Sequence, residues 1–537
     1  MLLQEMLDRA VRLFGGHPAL VDGDVRMTYR QLDERVRKLS AALQGLGLAH
    51  GEHVAILSAN SFRYMEAYLM GSVAGLVIAP INNRLNPRET AFILDDAEVK
   101  ALLIGREFLP LLEEIRKDIP HLRHVIVMDG DGSEGAGWEG NGGKGGSLKS
   151  DGLHGYEALV AAADPASLRL RDWNEDDMAF LCYTGGTTGL PKGVMLSQRN
   201  MVANSLHAIQ AAEFNERDVW LHVCPMFHAA DNWSCYAVTA LGGFHVFQER
   251  FEPRHTLDLI QEHRVSILLL VPTMINMILE LPDAGEFDLS SIRRVMYGAS
   301  PMPVERLKAA MDLFGPVLQQ LYGQTETAPF LTATTLRGTK LEGSEAEVHR
   351  LASCGQELLG VSVRVVDDEG RDVAPGEHGE IIAKGPNVML GYWKRPEETA
   401  AALQDGWVRT GDIATVDEEN YIFILDRAKD LIITGGENVY SPEVENALYR
   451  HPAVLEAAVF GIPHDRWGEE VHAVVVPQSG QEITAEDLIA HCHQWIAPFK
   501  CPKTVDFASA LPKSGAGKIL KSELRKPYWK DQDRAVH

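Results

Sequence analysis

The chain has 537 residues, 45% of them apolar and 23% charged, with a net charge of -24. This length exceeds what one hydrophobic core supports, so at least two domains are expected, and the apolar and charged fractions exclude both disorder and a membrane protein. An acidic surface repels phosphate backbones, which excludes nucleic acid as a partner unless a local basic patch overrides the field.

In chain order, residues 1–20 carry no basic lead, continuous apolar run or small-residue cleavage site, so they read as an amphipathic helix and not as a signal peptide. Helical periodicity over 29–46 alternates with short apolar runs at 54–57 and 101–104, the pattern of α/β layers with mainly parallel strands, and it holds to about residue 326. The apolar segments 68–81 and 267–281 are short or interrupted by Gly, Pro272 and Asn276, below the ~20 residues of a membrane span. A Gly-rich polar stretch at 129–155 reads as a flexible surface loop. From 361 to 424 short β-type runs at 361–366, 379–383 and 421–425 predict a β-rich subdomain. The charged run 426–430 then marks a boundary, and the remainder of the chain has the size of a small domain.

The predicted fold class is therefore α/β: a large N-terminal domain over 1–425 of layered α/β subdomains plus a β-rich subdomain, a hinge at 426–430, and a small mobile α+β domain over 431–537. The six cysteines, Cys182, Cys224, Cys235, Cys354, Cys492 and Cys501, lack framework spacing and predict free thiols in a reducing, cytoplasmic setting. His491-Cys492-His493 is no metal site, because alternate residues diverge on a helix and no second ligand pair follows.

The densest chemistry lies in Tyr183-Thr184-Gly185-Gly186-Thr187-Thr188-Gly189-Leu190-Pro191-Lys192-Gly193. Its glycines let backbone N–H groups approach phosphate oxygens, its hydroxyls add donors, and Lys192 adds a mobile charge. Pro191 before the lysine and Gly193 after it exclude a Walker-type P-loop, which requires Gly before and Ser or Thr after.

This string resembles the phosphate loop of the adenylate-forming superfamily, which includes acyl-CoA synthetases, beetle luciferases and nonribosomal peptide adenylation domains. Further segments of the family occur in order: Tyr297-Gly298-Ala299-Ser300, Tyr322-Gly323-Gln324-Thr325-Glu326, Thr410-Gly411-Asp412, Asp426-Arg427-Ala428-Lys429-Asp430, Gly435-Gly436-Glu437-Asn438 and Pro512-Lys513-Ser514-Gly515-Ala516-Gly517-Lys518. The resemblance implies an ATP-dependent, AMP-forming acid–thiol ligase, with ATP, Mg²⁺ and coenzyme A as cofactor and co-substrates. A carboxylic acid and ATP give an acyl adenylate and diphosphate, and the thiol of coenzyme A then displaces AMP.

The same resemblance assigns roles. Gly298, Ala299, Ser300 and Tyr322 form an adenine slot, Tyr322 offering an aromatic face. Thr325 can donate to the α-phosphate, Glu326 and Thr184 hold Mg²⁺, Asp412 with Arg427 meets the ribose hydroxyls, and Gly323, Gln324 and Ile424 belong to the same ATP/AMP-binding set. Lys518 is the catalytic lysine, placed where charge accumulates as oxygen attacks phosphorus. Lys429 is the hinge of a rotation that exchanges Lys518 for the Gly435, Gly436 and Glu437 loop beside the pantetheine arm. His228, Trp233, Thr273, Gly298 and Gly323 line the acyl pocket; no Asp stands at the position of His228, which argues against an amino-acid substrate. An inward Trp233 would shorten the cavity and favour a short- to medium-chain aliphatic acid.

Lys500, Lys503, Lys513, Lys521, Arg525 and Lys526 make the last segment locally basic, which reads equally as a dock for the phosphates of coenzyme A or as an ordinary solvated face. Two alternatives are weighed: an acyl-AMP ligase that loads a carrier protein, and a non-catalytic sensor of ATP or acyl groups. The expected partners are a small carboxylic acid, ATP and coenzyme A, without nucleic acid or integral membrane association, and with a homodimer as the candidate assembly.

Overall fold

The structure is a computed structural model that describes residues 1–129, 152–170, 172–184, 191–300, 302–336, 344–427, 430–435, 437–464, 466–481, 483–514 and 517–529. Four sheets organise these residues. An eight-stranded sheet has the parallel strands Val77–Pro80, His53–Leu57, Ala101–Ile104 and His124–Val127 at its centre and the antiparallel hairpin Met178–Thr184/Lys192–Ser197 on one side. All five residues of His53–Leu57 are buried, as a parallel strand covered on both faces requires. Every residue of helix Phe62–Ala74 except Arg63 is buried, and the helix starts at the Ser61 cap and stops at Gly75 in the left-handed conformation.

A nine-stranded sheet places four parallel strands side by side in the order Val219–His222, Ile267–Leu270, Arg294–Tyr297 and Leu318–Gly323. The β-rich subdomain forms as expected, with Ser362–Val366, His378–Lys384 and Ile422–Arg427 close to the three predicted runs. Its longest strand, Trp407–Val416, lies outside those runs and contains Thr410-Gly411-Asp412 in mid-strand. The last sheet, built from 432–507, has its own core of Ile432, Val459, Val471, Val475, Leu488 and their neighbours.

Two expectations need adjustment. The N-terminal helix spans only Leu3–Phe14, and the chain then enters the strand Pro18–Asp22. Of the Gly-rich stretch at 129–155, residues 130–151 lie outside the described residues, while Leu153–Gly155 is an edge strand paired with His124–Val127 and not loop. The six cysteines are buried and free. Among the described residues no helix is long and apolar enough to cross a membrane.

Candidate active site

Four adjacent parallel strands end on one side of the nine-stranded sheet, and the segments leaving their carboxyl ends converge there, the usual place for a ligand in an α/β sheet. After Val219–His222 comes the turn with His228; after Ile267–Leu270, Thr273; after Arg294–Tyr297, Gly298 to Ser300; and Leu318–Gly323 runs into the tight turn Thr325–Thr327 that holds Glu326. A Cβ on Gly298 would stand 2.4 Å from the Leu321 carbonyl oxygen, and one on Gly323 1.7 Å from that of Pro329, so only glycine lets these backbones pass so closely. Ala299 has φ +68°, which turns the chain away after the strand.

Two further units contribute from the flanks. The Tyr322 hydroxyl donates to Asp412 Oδ2 at 2.8 Å, and Arg427 Nε meets Asp412 Oδ1 at 3.2 Å. Asp412 and Arg427 are register partners on neighbouring strands, with Ile424 three positions before Arg427. Burial and the Asp412 carboxylate push the Tyr322 phenol well above its ordinary range, so it stays a donor. On the other flank, Thr184 faces Lys192 across the hairpin. The loop joining them, with Gly185, Gly186, Thr187, Thr188 and Gly189, lies outside the described residues, as do Lys429 and Gly436. Lys192 Nζ lies 5.3 Å from the centroid of the Tyr392 ring, and the Tyr392 hydroxyl donates to Glu326 Oε1 at 2.9 Å.

The lysine loop reaches this convergence from the other end of the chain. Thr273 Oγ1 donates to the Gly517 carbonyl at 3.3 Å. The Lys518 backbone N–H bonds Ser514 Oγ at 3.2 Å, closing the loop on itself. Burial, and then the Lys518 cation, push the His228 imidazole down to about 4, so it is neutral near pH 7. Lys518, His228 and Thr273 are therefore one neighbourhood. Gly435 and Glu437 instead sit exposed on the hairpin Ile432–Thr434/Glu437–Val439, Gly435 with φ +61° and backed by Trp467; among the described residues no hydrogen bond joins them to Glu326 or Lys518.

Trp233 is corrected by the structure. It has no exposed surface, packs on Trp220 at 5.2 Å and Phe330 at 5.1 Å, and donates its indole N–H to Ala230 O at 3.0 Å. It belongs to the core in this conformation, so the physical basis for a chain-length limit falls away. In the basic final segment the charges are mostly paired internally, which weighs against the coenzyme A dock of its two readings. Lys500 pairs with Glu443, Lys513 with Glu456, Lys521 with Glu445, Arg525 with Asp430 and Lys526 with Glu523. Of the six, Lys503 hydrogen-bonds the carbonyl of Pro498.

Sequence reasoning missed Tyr392, which lies in a two-residue strand, and a fully buried chain beneath the His228 turn. In that chain His222 Nδ1 meets Asp231 Oδ2 at 2.7 Å, His222 Nε2 meets His245 Nδ1 at 2.9 Å, and Thr239 Oγ1 meets His245 Nε2 at 3.1 Å. Asp231 and His222 thus pin the turn carrying His228 to the sheet.

The chain is similar to known proteins over nearly its whole length. The family model "AMP-binding enzyme" matches residues 7–393 and "AMP-binding enzyme C-terminal domain" matches 443–518. A long-chain-fatty-acid–CoA ligase of Thermus thermophilus is 38% identical, covering 98% of this chain and 95% of its own. A feruloyl-CoA synthase of an Amycolatopsis species is 35% identical, covering 97% and 98%. ATP-bound MatB from Rhodopseudomonas palustris superposes with a TM-score of 0.85 at 30% identity, covering 99% of each chain.

Proposed function

The chain belongs to the AMP-binding enzyme family, and on that premise we propose how its own residues divide the work of an AMP-forming acid–coenzyme A ligase. The enzyme uses ATP, Mg²⁺ and coenzyme A. The donor set suits the metal: Mg²⁺ takes one or two protein carboxylates and completes its shell with phosphate and water, and Glu326 presents a half-buried carboxylate with one oxygen already fixed by Tyr392. Glu326, with Thr184, would hold Mg²⁺, which supplies charge neutralisation on the phosphates.

In the first half-reaction an oxygen of the acid attacks the α-phosphorus of ATP and diphosphate leaves. Lys518 stabilises the charge that gathers between them, while neutral His228 and Thr273 border the carboxylate. Gly298, Ala299, Ser300 and Tyr322 take the adenine, Gly323, Gln324 and Thr325 the α-phosphate side, and Asp412 with Arg427 and Ile424 the ribose. In the second half-reaction the thiol of coenzyme A attacks the acyl carbonyl and AMP leaves with the bonding electrons. We assign Lys429, within the 426–430 hinge, to a rotation that withdraws Lys518 and brings Gly435, Gly436 and Glu437 to the thiol path. A cytoplasmic location is supported by the six buried free thiols; a homodimer is the assembly to test by light scattering.

The observation that carries this reading is the docking of the Gly517–Lys518 loop on Thr273 beside His228. It is tested with carboxylate-¹⁸O acids, ATP, Mg²⁺ and coenzyme A: one label is expected in the AMP released. Formation of ADP, or AMP that never carries the label for any acid that turns over, overturns it.

A further inference from the structure

We propose that Tyr392 is a positioning residue that orients the Glu326 carboxylate and ties it to the Lys192 side of the phosphate site, an inference that rests on Glu326 being the metal carboxylate. The segment 386–393 crosses the molecule as a strap. At one end it is bound to the strand that begins at Lys192: Gly391 pairs with Met195 and Tyr392 with Val194, and the Trp393 N–H donates to Gly193 O at 2.8 Å. At the other end buried Asn200 donates its side-chain amide to Pro386 O at 2.8 Å and Val388 O at 2.7 Å. Held so, the strap grips the Glu326 turn at three points. Asn387, fully buried, donates to Thr327 O and Phe330 O, both at 2.8 Å. The Met389 N–H donates to the Glu326 carbonyl at 2.9 Å, and the Tyr392 hydroxyl to its carboxylate at 2.9 Å.

The backbone and side chain of Glu326 are thus both set from the strand that starts at the phosphate-loop lysine. Mg²⁺ demands a near-ideal octahedron, so the aim of a single carboxylate matters, and a hydrogen bond to the ligand from behind fixes that aim. The same ring lies under Lys192 Nζ at 5.3 Å, so one side chain spaces the cation and the carboxylate that flank the phosphates.

The test is Mn²⁺ affinity of the enzyme with α,β-methylene-ATP, read by electron paramagnetic resonance, for the parent, Tyr392→Phe, Glu326→Gln and the double variant. Tyr392→Phe keeps the ring over Lys192 and loses only the hydroxyl; its unfolding midpoint is measured alongside. Loss of an outer partner of a metal ligand weakens affinity roughly tenfold or more, and the hydroxyl loss should add nothing once Glu326 is Gln. Mn²⁺ affinity of Tyr392→Phe within about twofold of the parent overturns the proposal; so does an equal loss in both backgrounds, which is also what a general loosening of the fold gives. If Glu326→Gln binds Mn²⁺ like the parent, the metal assignment of Glu326 fails first, and the two failures are told apart.

Discussion

Thr273→Val isolates the contact that docks the lysine loop. The substitution keeps the side-chain shape and removes one hydrogen bond, from Thr273 Oγ1 to Gly517 O. A neutral hydrogen bond contributes about 0.5–1.5 kcal/mol net, and at 3.3 Å between half-buried groups the lower part of that range applies, about 0.5–1 kcal/mol. In the proposed rotation the contact exists only while Lys518 is at the pocket, so the loss shifts the docked population and should slow adenylation about two- to fivefold. ATP–pyrophosphate exchange at saturating acid measures this step, and thioester formation from supplied acyl adenylate measures the other. Expected are a two- to fivefold fall in exchange, an unchanged KM for the acid and an unchanged thioester rate. Equal losses in both half-reactions, or a loss confined to the KM of the acid, would refute the reasoning, the latter by showing that Thr273 acts as pocket wall alone.

Lys518→Ala should slow the same exchange by about 10²–10³ and spare thioester formation, since it removes one key electrostatic donor from the first step only. Lys521→Ala strands Glu445, 2.7 Å from the lysine, and buried Asp426 without their cation; it should lower the stability of the C-terminal part by about 3 kcal/mol in denaturant unfolding. His207 is buried and pushed down to about 4 against an ordinary 6.5. Between those values the unfolded chain binds a proton that the folded one refuses, so stability is full above 6.5 and falls with pH towards 4, by at most about 1.4 kcal/mol per unit. His207→Gln should flatten that acid slope in pH-dependent melting; an unchanged slope refutes the assignment.

How much of this is readable in the sequence depends on how local the pattern is. Parallel strands such as Ala101–Ile104 are covered on both faces, so they read as unbroken apolar runs. Gly298 and Gly517 announce close approaches that the structure shows, each with backbone or a side chain inside 3 Å of where a Cβ would stand. Trp407–Val416 escapes because Gly411 in mid-strand looks like a turn. The lysines after 500 look free because their carboxylates, Glu443, Glu445 and Glu456, stand far upstream on other elements. Tyr392 is set by a two-residue pairing with Val194, for which no window of sequence carries a period. Trp233 sits at a helix start, where direction is decided by what packs around it and not by spacing.

The electrostatics of the site reflect the same division into units. A chain of net charge -24 must gather a triphosphate, yet most of its basic side chains near the C-terminus are already paired. The cations at the site come one from each unit: Lys192 from the eight-stranded sheet, Arg427 from the β-rich sheet, and Lys518 from beyond the 426–430 run. The first two are tied to the nine-stranded sheet through carboxylates, by way of Tyr392 to Glu326 and of Asp412 to Tyr322. The third arrives on the loop whose Gly517 carbonyl accepts the hydrogen bond from Thr273. In the proposed rotation the lysine of the first half-reaction leaves on this loop, so the bond from Thr273 to Gly517 must break at each turnover.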